Sequence, residues 1–366
     1  MKRILHIIGG LDRGGAESFL MNTWRNIDHK KYQFDILTFM QPRDGKKFAF
    51  EDELIKGGAK IYRVKDNRVK APWKFEKDVA KIVKEGNYEI VHSHIDFMSA
   101  LSLKGAKMGG AKYRVSHSHS TFNDNLYSPI KKFASSLMRR RLNRLVTKRL
   151  ACGINAGEFL YGKNQKFTVI NNGIDAEKFY FNADFRKELR SKYKLGDKTK
   201  VILNVGRLEE VKNQAWLIDV FDKVYKEQPD SALFIIGDGS LKESLKEKVD
   251  GLASKKQIFI LDSQPDINKY YSMADIFALP SKFEGVPTVG IEAQASGLPC
   301  FFSVFVPKET KISDNAKFLK IDSDEDWVKE FVNTEVQKKR SASGSKIDKY
   351  DIHNSVKKLE EIYDSF

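Results

Sequence analysis

The 366-residue sequence predicts an α/β protein built from two parallel, doubly wound sheets. Three observations lead there. Short β-rich runs alternate with longer stretches of helical periodicity, the order that gives helix-covered parallel sheets. The alternation pauses in a highly charged stretch after NNGID and then restarts. The length also exceeds what a single hydrophobic core supports.

Taken in order, the first series of strands reads KRILHII, QFDILTF, AKIYRV, YEIVHSH, KYRVSHS, LACGIN and KFTVIN. Between them, AESFLMNTWRNI and PWKFEKDVAKIVKEG carry apolar residues at helical spacing. The stretch from Ala176 to Lys200 reads as a charged connection. A second series follows in VILNVGRL, SALFIIGDG, QIFILD, DIFALPS and LPCFFSV. KKRSASGSK, at 338 to 346, reads as a loop, and SVKKLEEIYDSF as a final amphipathic helix. The domains are set at 1–180, 181–347 and a returning helix at 348–366. There is no repeat at solenoid periods and no low-complexity tract.

An apolar fraction of 41% and a charged fraction of 31% are those of an ordinary soluble protein. No window approaches the roughly 20 apolar residues that cross a bilayer, and MKRILHIIGG lacks a small-residue cleavage site. A cytoplasmic location is expected. Cys152 and Cys300 lack the paired spacing of a disulfide or zinc framework and are expected to be small buried side chains.

The net charge of +15 lies entirely in the first part of the chain. Residues 1 to 150 hold 31 basic against 15 acidic side chains, and residues 151 to 366 hold 33 against 34. The densest segment, SPIKKFASSLMRRRLNRLVTKRLA, interleaves cations with Phe133, Leu137, Met138, Leu142 and Leu145. On a helix the apolar residues gather on one side, with Arg141 and Arg144 intruding. Residues 128–150 therefore read either as a helix resting on anionic lipid at the inner face of the cell membrane or as the solvated face of a basic protein.

In open parallel sheets ligands bind beyond the carboxyl ends of the strands, so four loops carry the candidate chemistry. GGLDRGGAE lies between a strand and a helix, where Gly14 and Gly15 let backbone approach an anion at the helix N-terminus. Glycines there also serve as a plain turn, and the spacing matches neither a dinucleotide fingerprint nor a P-loop. In NVGRLEEVKN, Arg207 and Lys212 can neutralise a diphosphate and stabilise the charge a leaving group develops, or they can pair with Glu209 and Glu210 at the surface. In FALPSKFEGVPTVGIEAQASGLPC, Glu284 and Glu292 bracket a loop in which Gly285, Val286, Pro287 and Thr288 lead into a helix. A carboxylate just inside that helix suits ribose hydroxyls, and its alternative is a simple dipole contact. In SHSHST, His117 and His119 are expected to face opposite sides, so that one of them meets the cleft, and His92 and His94 share the spacing. One cleft-facing imidazole can contact a sugar hydroxyl. No carboxylate or thiolate cluster accompanies the histidines, so polar contacts are favoured over a metal site.

VGRLEEVKN, FIIGDG, ADIFALPSKFEGVPTVGIEAQASGLP, VINNGID and GGLDRGGAE together resemble the GT-B glycosyltransferases of family 4, especially bacterial enzymes of capsular and exopolysaccharide assembly. The resemblance spans nearly the whole chain. It implies two Rossmann-like domains facing a cleft, with the N-terminal one binding acceptor. The implied activity is retaining transfer of a sugar from a nucleotide donor, without metal or cofactor. A UDP-sugar donor and a lipid-linked or saccharide acceptor are expected. By the same resemblance Arg207 and Lys212 hold the donor diphosphate with Gly14 or Gly15, and Glu292 binds ribose. Glu284 and the Gly285, Val286, Pro287 and Thr288 segment border the transferred sugar, which His119, or His117 in its place, contacts. The chain departs from the pattern at SVFVPKE, where an acidic residue is common near Val304. A nucleotide-sugar epimerase or a phosphorylase could share two such domains. An inactive membrane scaffold is a further reading, against which intact Arg207, Lys212 and Glu292 speak. A nucleic-acid-binding protein would explain the basic first part but leave the acid-and-cation loops without a role.

Overall fold

A computed structural model describes the chain except for Arg13, Arg43, Asp44, Lys46, residues 121–128, Lys338, residues 342–345 and the side chains of residues 129–131. Residue 128 and Lys131 of the basic segment, and much of the 338–346 stretch, lie outside the described residues. The chain divides into two units, Met1–Gly173 with Ile352–Phe366, and Ile174–Asp351.

The first unit holds a parallel sheet of β1 (Lys2–Ile7), β2 (Tyr32–Thr38), β3 (Ile61–Arg63), β4 (Ile90–Ser93), β5 (Tyr113–Ser118), β6 (Lys148–Ala151) and β7 (Thr168–Val169) in the order β3-β2-β1-β4-β5-β6-β7. Alternate residues feed opposite faces, as the two-residue period of a strand requires. Ile4, Phe34, Ile36, Ile90 and Val115 enter one core with Ile352, Val356, Leu359 and Tyr363 of the last helix. Leu5, Ile7, Leu37 and Val91 enter the other. The last helix, Ile352–Asp364, is therefore a part of the first unit, and its Tyr363 hydroxyl lies 2.7 Å from His92 Nδ1.

The second unit repeats the plan with β8 (Lys200–Val205), β9 (Ser231–Ile236), β10 (Ile258–Leu261), β11 (Ile276–Leu279), β12 (Cys300–Ser303) and β13 (Ala316–Leu319), ordered β10-β9-β8-β11-β12-β13. Its central strands are buried on both faces, which is why they read as unbroken apolar runs. In each sheet the strand order reverses between two strands, β1 and β4 in the first and β8 and β11 in the second. Within each sheet, taken by itself, the reversal point separates the loops that follow its two strands and opens a crevice between them.

Three expectations are corrected. The charged connection contains the helix Ala183–Lys192, which Asn182 caps by accepting from the N–H groups of Asp184 and Phe185. Its Arg186 and Arg190 both reach buried Asp275, each at 2.6 Å, so charges that look like linker composition hold the helix on the sheet. Strand β13 has no counterpart in the sequence reading, because AKFL is short and carries a lysine. In the basic helix Pro129–Leu145 the apolar residues do not share one face. Leu142, Met138 and Leu145 pack inward, while Phe133 and Leu137 stay 74% and 58% exposed. Arg141 is not a surface intrusion but an ion-pair partner of buried Glu76. Cys152 and Cys300 are both buried, as expected. Among the described residues no helix is long and apolar enough to cross a membrane.

Candidate active site

In the second unit the site is built at the reversal between β8 and β11. Gly206 ends the bend after β8, and the β8 and β9 loops meet backbone to backbone. A Cβ on Gly237 would stand 2.0 Å from the Gly206 carbonyl oxygen, and one on Gly239 would stand 2.2 Å from that of Leu208. That close approach explains the glycines of FIIGDG. Hydrogen bonds from Gly206 N to Ile236 O (3.0 Å) and from Leu208 N to Asp238 O (2.9 Å) close the contact.

The two cations of this loop part ways. The Arg207 guanidinium is half-exposed and 3.1 Å from Glu209 Oε1. Lys212 turns inward, 14% exposed, and its Nζ donates to Glu284 Oε1 at 2.5 Å. Glu210 pairs outward with Lys282. Surface pairing therefore describes Arg207 but not Lys212. Glu284, 9% exposed, also accepts from Ser281 Oγ at 2.7 Å. Ser281 is in turn held through its carbonyl by the Ser303 hydroxyl, which accepts from Phe305 N at 3.2 Å. Lys212, Glu284 and Ser281 thus form one buried, charge-assisted cluster.

Glu292 lies in the second turn of the helix Thr288–Ala295, whose N-terminus carries no capping side chain. A carboxylate that far along gains little from the dipole, so the simple dipole contact does not account for it. Burial pushes its pKa up to about 7 against the pull of Tyr271 and Lys178. The Tyr271 hydroxyl donates to Oε2 at 2.8 Å, leaving Oε1 for another partner. Pro287 is buried, Gly285, Val286 and Thr288 are partly exposed, and Val286 packs on the core. Tyr271 and Ser281 escaped the sequence reading. Only three-dimensional proximity marks Tyr271, whereas Ser281 lies within the loop already singled out.

In the first unit, Gly14 precedes the helix Gly15–Asn26 in extended conformation, and a Cβ there would meet Glu17. A Cβ on Gly15 would meet nothing within 4 Å. The opposite-side expectation for the histidines is corrected: residues two apart on a strand share a face. His94 and His119 follow directly on β4, which ends at Ser93, and β5, which ends at Ser118, and keep to the side of His92 and His117. Rings of His92 and His94 stack with centroids 4.3 Å apart, and those of His117 and His119 with centroids 4.2 Å apart. His6 joins them, and the five imidazoles form one cluster, buried except for His119, which is partly exposed. Its members are pushed down by burial, His6 and His119 to about 3 and His92, His94 and His117 well below 6.5. His6, His92 and His94, and also His94, His117 and His119, bring one ligand nitrogen each within 4.8 Å of one another. Asp96, in left-handed conformation (φ 45°), accepts from His119 N at 3.4 Å and from Ser120 Oγ at 2.8 Å. His6, Asp96 and Asn172 were not singled out in the sequence, although Asp96 follows VHSH and Asn172 lies in VINNGID.

Comparison with known proteins decides what this arrangement belongs to. Residues 185–360 match the model for glycosyl transferases group 1, and residues 13–178 match that for Glycosyltransferase Family 4. The chain is 32% identical to the glycosyltransferase EpsF of Bacillus subtilis over 82% of its length and 79% of EpsF. It belongs to the family 4, group 1 glycosyltransferases. This glycosyltransferase is also 24% identical to the capsular polysaccharide biosynthesis glycosyltransferase CapH of Staphylococcus aureus, over 99% of both chains. Its fold is that of HepE from Anabaena, solved with UDP and glucose, at a TM-score of 0.80 and 16% identity over the whole of both chains. The GT-B fold expected from the resemblance is thereby shown, and the chain is an enzyme of sugar transfer.

Proposed function

We propose that this glycosyltransferase moves a sugar from a UDP-sugar, with retention at the anomeric carbon and without a metal, to a lipid-linked or saccharide acceptor in surface-polysaccharide assembly. The observation that carries the reading is the Lys212–Glu284–Ser281 cluster at the reversal of the second sheet, with Glu292 in the helix that follows its loop. Lys212 and Arg207 would face the diphosphate, where fixed cations stabilise the departing charge more than the ground state. That role is the one a divalent ion fills in metal-dependent transferases. Glu292 would meet the ribose hydroxyls through Oε1. The Gly285 to Thr288 segment would supply helix N-terminal amides. The polysaccharide class rests on EpsF and CapH, and UDP on HepE.

Retention is assigned to front-face attack. The bond from the anomeric carbon to the phosphate oxygen breaks, the acceptor hydroxyl oxygen bonds to the same face, and its proton passes to the departing phosphate. Glu284 is engaged by Lys212 and Ser281 through one oxygen, which suits a positioning role better than that of a nucleophile. In the first unit Gly14 and Gly15 would admit an anion, and His119 would contact a sugar hydroxyl with His117 stacked behind it.

Peripheral attachment to an anionic membrane is the partner reading for the helix Pro129–Leu145. Exposed Phe133 and Leu137 continue along one face into exposed Arg140 and Arg144, and each cation adds about 1 kcal/mol near such a surface.

The test is product analysis with labelled UDP-sugars and undecaprenyl-linked acceptors, reading anomeric configuration by NMR. An α-product from an α-donor, with activity indifferent to EDTA, is expected. A β-product, a glycosyl adduct on Glu284, or epimerised donor without transfer would each refute it. Lys212→Met should lower kcat by about 100-fold or more.

A further inference from the structure

Among the described residues the Arg340 guanidinium hydrogen-bonds only to backbone carbonyls, and these lie at the ends of two helices. Nη2 donates to Tyr271 O at 2.9 Å and to Ser272 O at 3.2 Å, Nη1 to Ala274 O at 2.5 Å, and Nε to Ser296 O at 3.3 Å. Tyr271, Ser272 and Ala274 close the helix Ile267–Met273, and Ser296 closes Thr288–Ala295. The last carbonyls of a helix lack intrahelical donors and carry the negative end of its dipole, which suits a cation. The nearby carboxylate is already taken, since Asp275 has one oxygen 2.6 Å from Arg186 and the other 2.6 Å from Arg190. Phe181 covers the guanidinium, its ring centre 4.7 Å from Cζ. The backbone is seated as closely: a Cβ on Gly297, which has a φ of 72°, would stand 2.7 Å from the Ser341 carbonyl oxygen.

These contacts close a ring of interactions around Glu292. Tyr271, whose carbonyl Arg340 holds, donates through its hydroxyl to Glu292 Oε2 at 2.8 Å. Ser296, whose carbonyl Arg340 also holds, donates its N–H to the Glu292 carbonyl at 3.1 Å. One side chain therefore joins the helix that presents the donor of the Tyr271–Glu292 bond to the helix that presents its acceptor. A planar fork with several fixed N–H groups can do this where a single ammonium cannot.

We propose that Arg340 is a positioning residue for Glu292, pinning the ends of the helices Ile267–Met273 and Thr288–Ala295 so that the Tyr271 hydroxyl stays on Oε2 and Oε1 is left for the donor ribose. The ribose contact rests on the function proposed above; the pinning of Glu292 does not. The competing role is stability alone, with Arg340 doing no more than satisfying helix ends. The two roles differ at the carboxyl group. Tyr271 and Lys178 both oppose the rise that burial causes in Glu292, so loosening the Tyr271 hydrogen bond must let that carboxyl climb further.

The test is a ¹³C NMR titration of glutamate-labelled protein, with the Glu292 resonance assigned through Glu292→Gln, beside calorimetry with UDP on the intact protein. Arg340→Ala should raise the pH at which Glu292 titrates and weaken UDP binding about fivefold, and Tyr271→Phe should raise it too and weaken binding about tenfold. The double variant should bind UDP no more weakly than Tyr271→Phe alone, because Arg340 acts through that hydroxyl. Arg340→Lys keeps a cation at the helix ends without the fork that reaches both, so it should show the same rise in a folded protein even where Arg340→Ala fails to fold. An unmoved Glu292 titration in the folded variants, or losses that multiply in the double variant, would overturn the positioning role. A raised titration with UDP affinity unaltered by Glu292→Gln would leave the positioning standing and remove Glu292 from the ribose.

Discussion

Acidification should unfold the first unit while steadying the second. His6, His92, His94, His117 and His119 are all held neutral by burial. With depressed pKa values in the fold, they take up protons first in the unfolded chain. Their contribution is full above pH 6.5 and is lost as the pH falls from there toward the folded values, about 3 for His6 and His119. At pH 5.5 each such histidine costs between about 1 and 2 kcal/mol relative to pH 8, or about 7 kcal/mol for five acting independently. Asp96 works the other way: burial raises it to about 6, and its protonation in the fold returns about 1 kcal/mol over the same interval. The net loss of about 6 kcal/mol is comparable with the whole stability of a domain, about 5–15 kcal/mol. In the second unit Glu292, raised to about 7, is relieved on protonation and contributes up to about 2 kcal/mol in the stabilising direction. Hydrogen exchange with mass spectrometry at pH 8 and pH 5.5, corrected for intrinsic rates, separates the units. Amides of β1, β4 and β5 should lose protection, and those of β8 and β9 should keep it. Equal protection of β1, β4 and β5 at both pH values would show that the imidazoles are solvated or already charged, and the account of the cluster would fail.

Glu292→Gln should leave the melting temperature unchanged or slightly raised, since it removes a buried charge, and should weaken UDP binding about tenfold by calorimetry; unaltered affinity would remove Glu292 from the ribose. Gly237→Ala should destabilise the second unit by about 2–4 kcal/mol in urea melts, because its Cβ would stand 2.0 Å from a backbone oxygen. At Gly206 the nearest atom to a new Cβ is 3.8 Å away, so Gly206→Ala should be mild; equal effects would deny the close loop contact. Phe133→Ser with Leu137→Ser should reduce sedimentation with phosphatidylglycerol vesicles about tenfold, and no binding by the parent protein would remove the membrane partner.

Much of the fold was legible because parallel strands covered on both faces leave apolar runs, as in β8, β9 and β11, and twelve of the strands were read as short β-rich segments. β13 was not, since Lys317 interrupts a four-residue run. The helix Ala183–Lys192 was hidden because Arg186 and Arg190 look like solvent-facing charge until Asp275, far along the chain, is brought against them. At the site, Lys212 and Glu284 were legible as residues but not as a pair: 72 positions separate them. Arg207 and Lys212 read as equivalent cations, yet one pairs at the surface and the other is buried.

The sequence by itself determined the α/β class, the two-sheet plan, the family and the loops that carry polar chemistry, because periodicity and loop composition are local properties. Only tertiary structure decided which groups meet. His6 and His92 are brought together by the register of β1 on β4, His94 and His119 by the pairing of β4 with β5, and Tyr363 by a helix that returns from the far end of the chain. Contact between residues tens to hundreds of positions apart is set by sheet order and packing, and no local pattern encodes it.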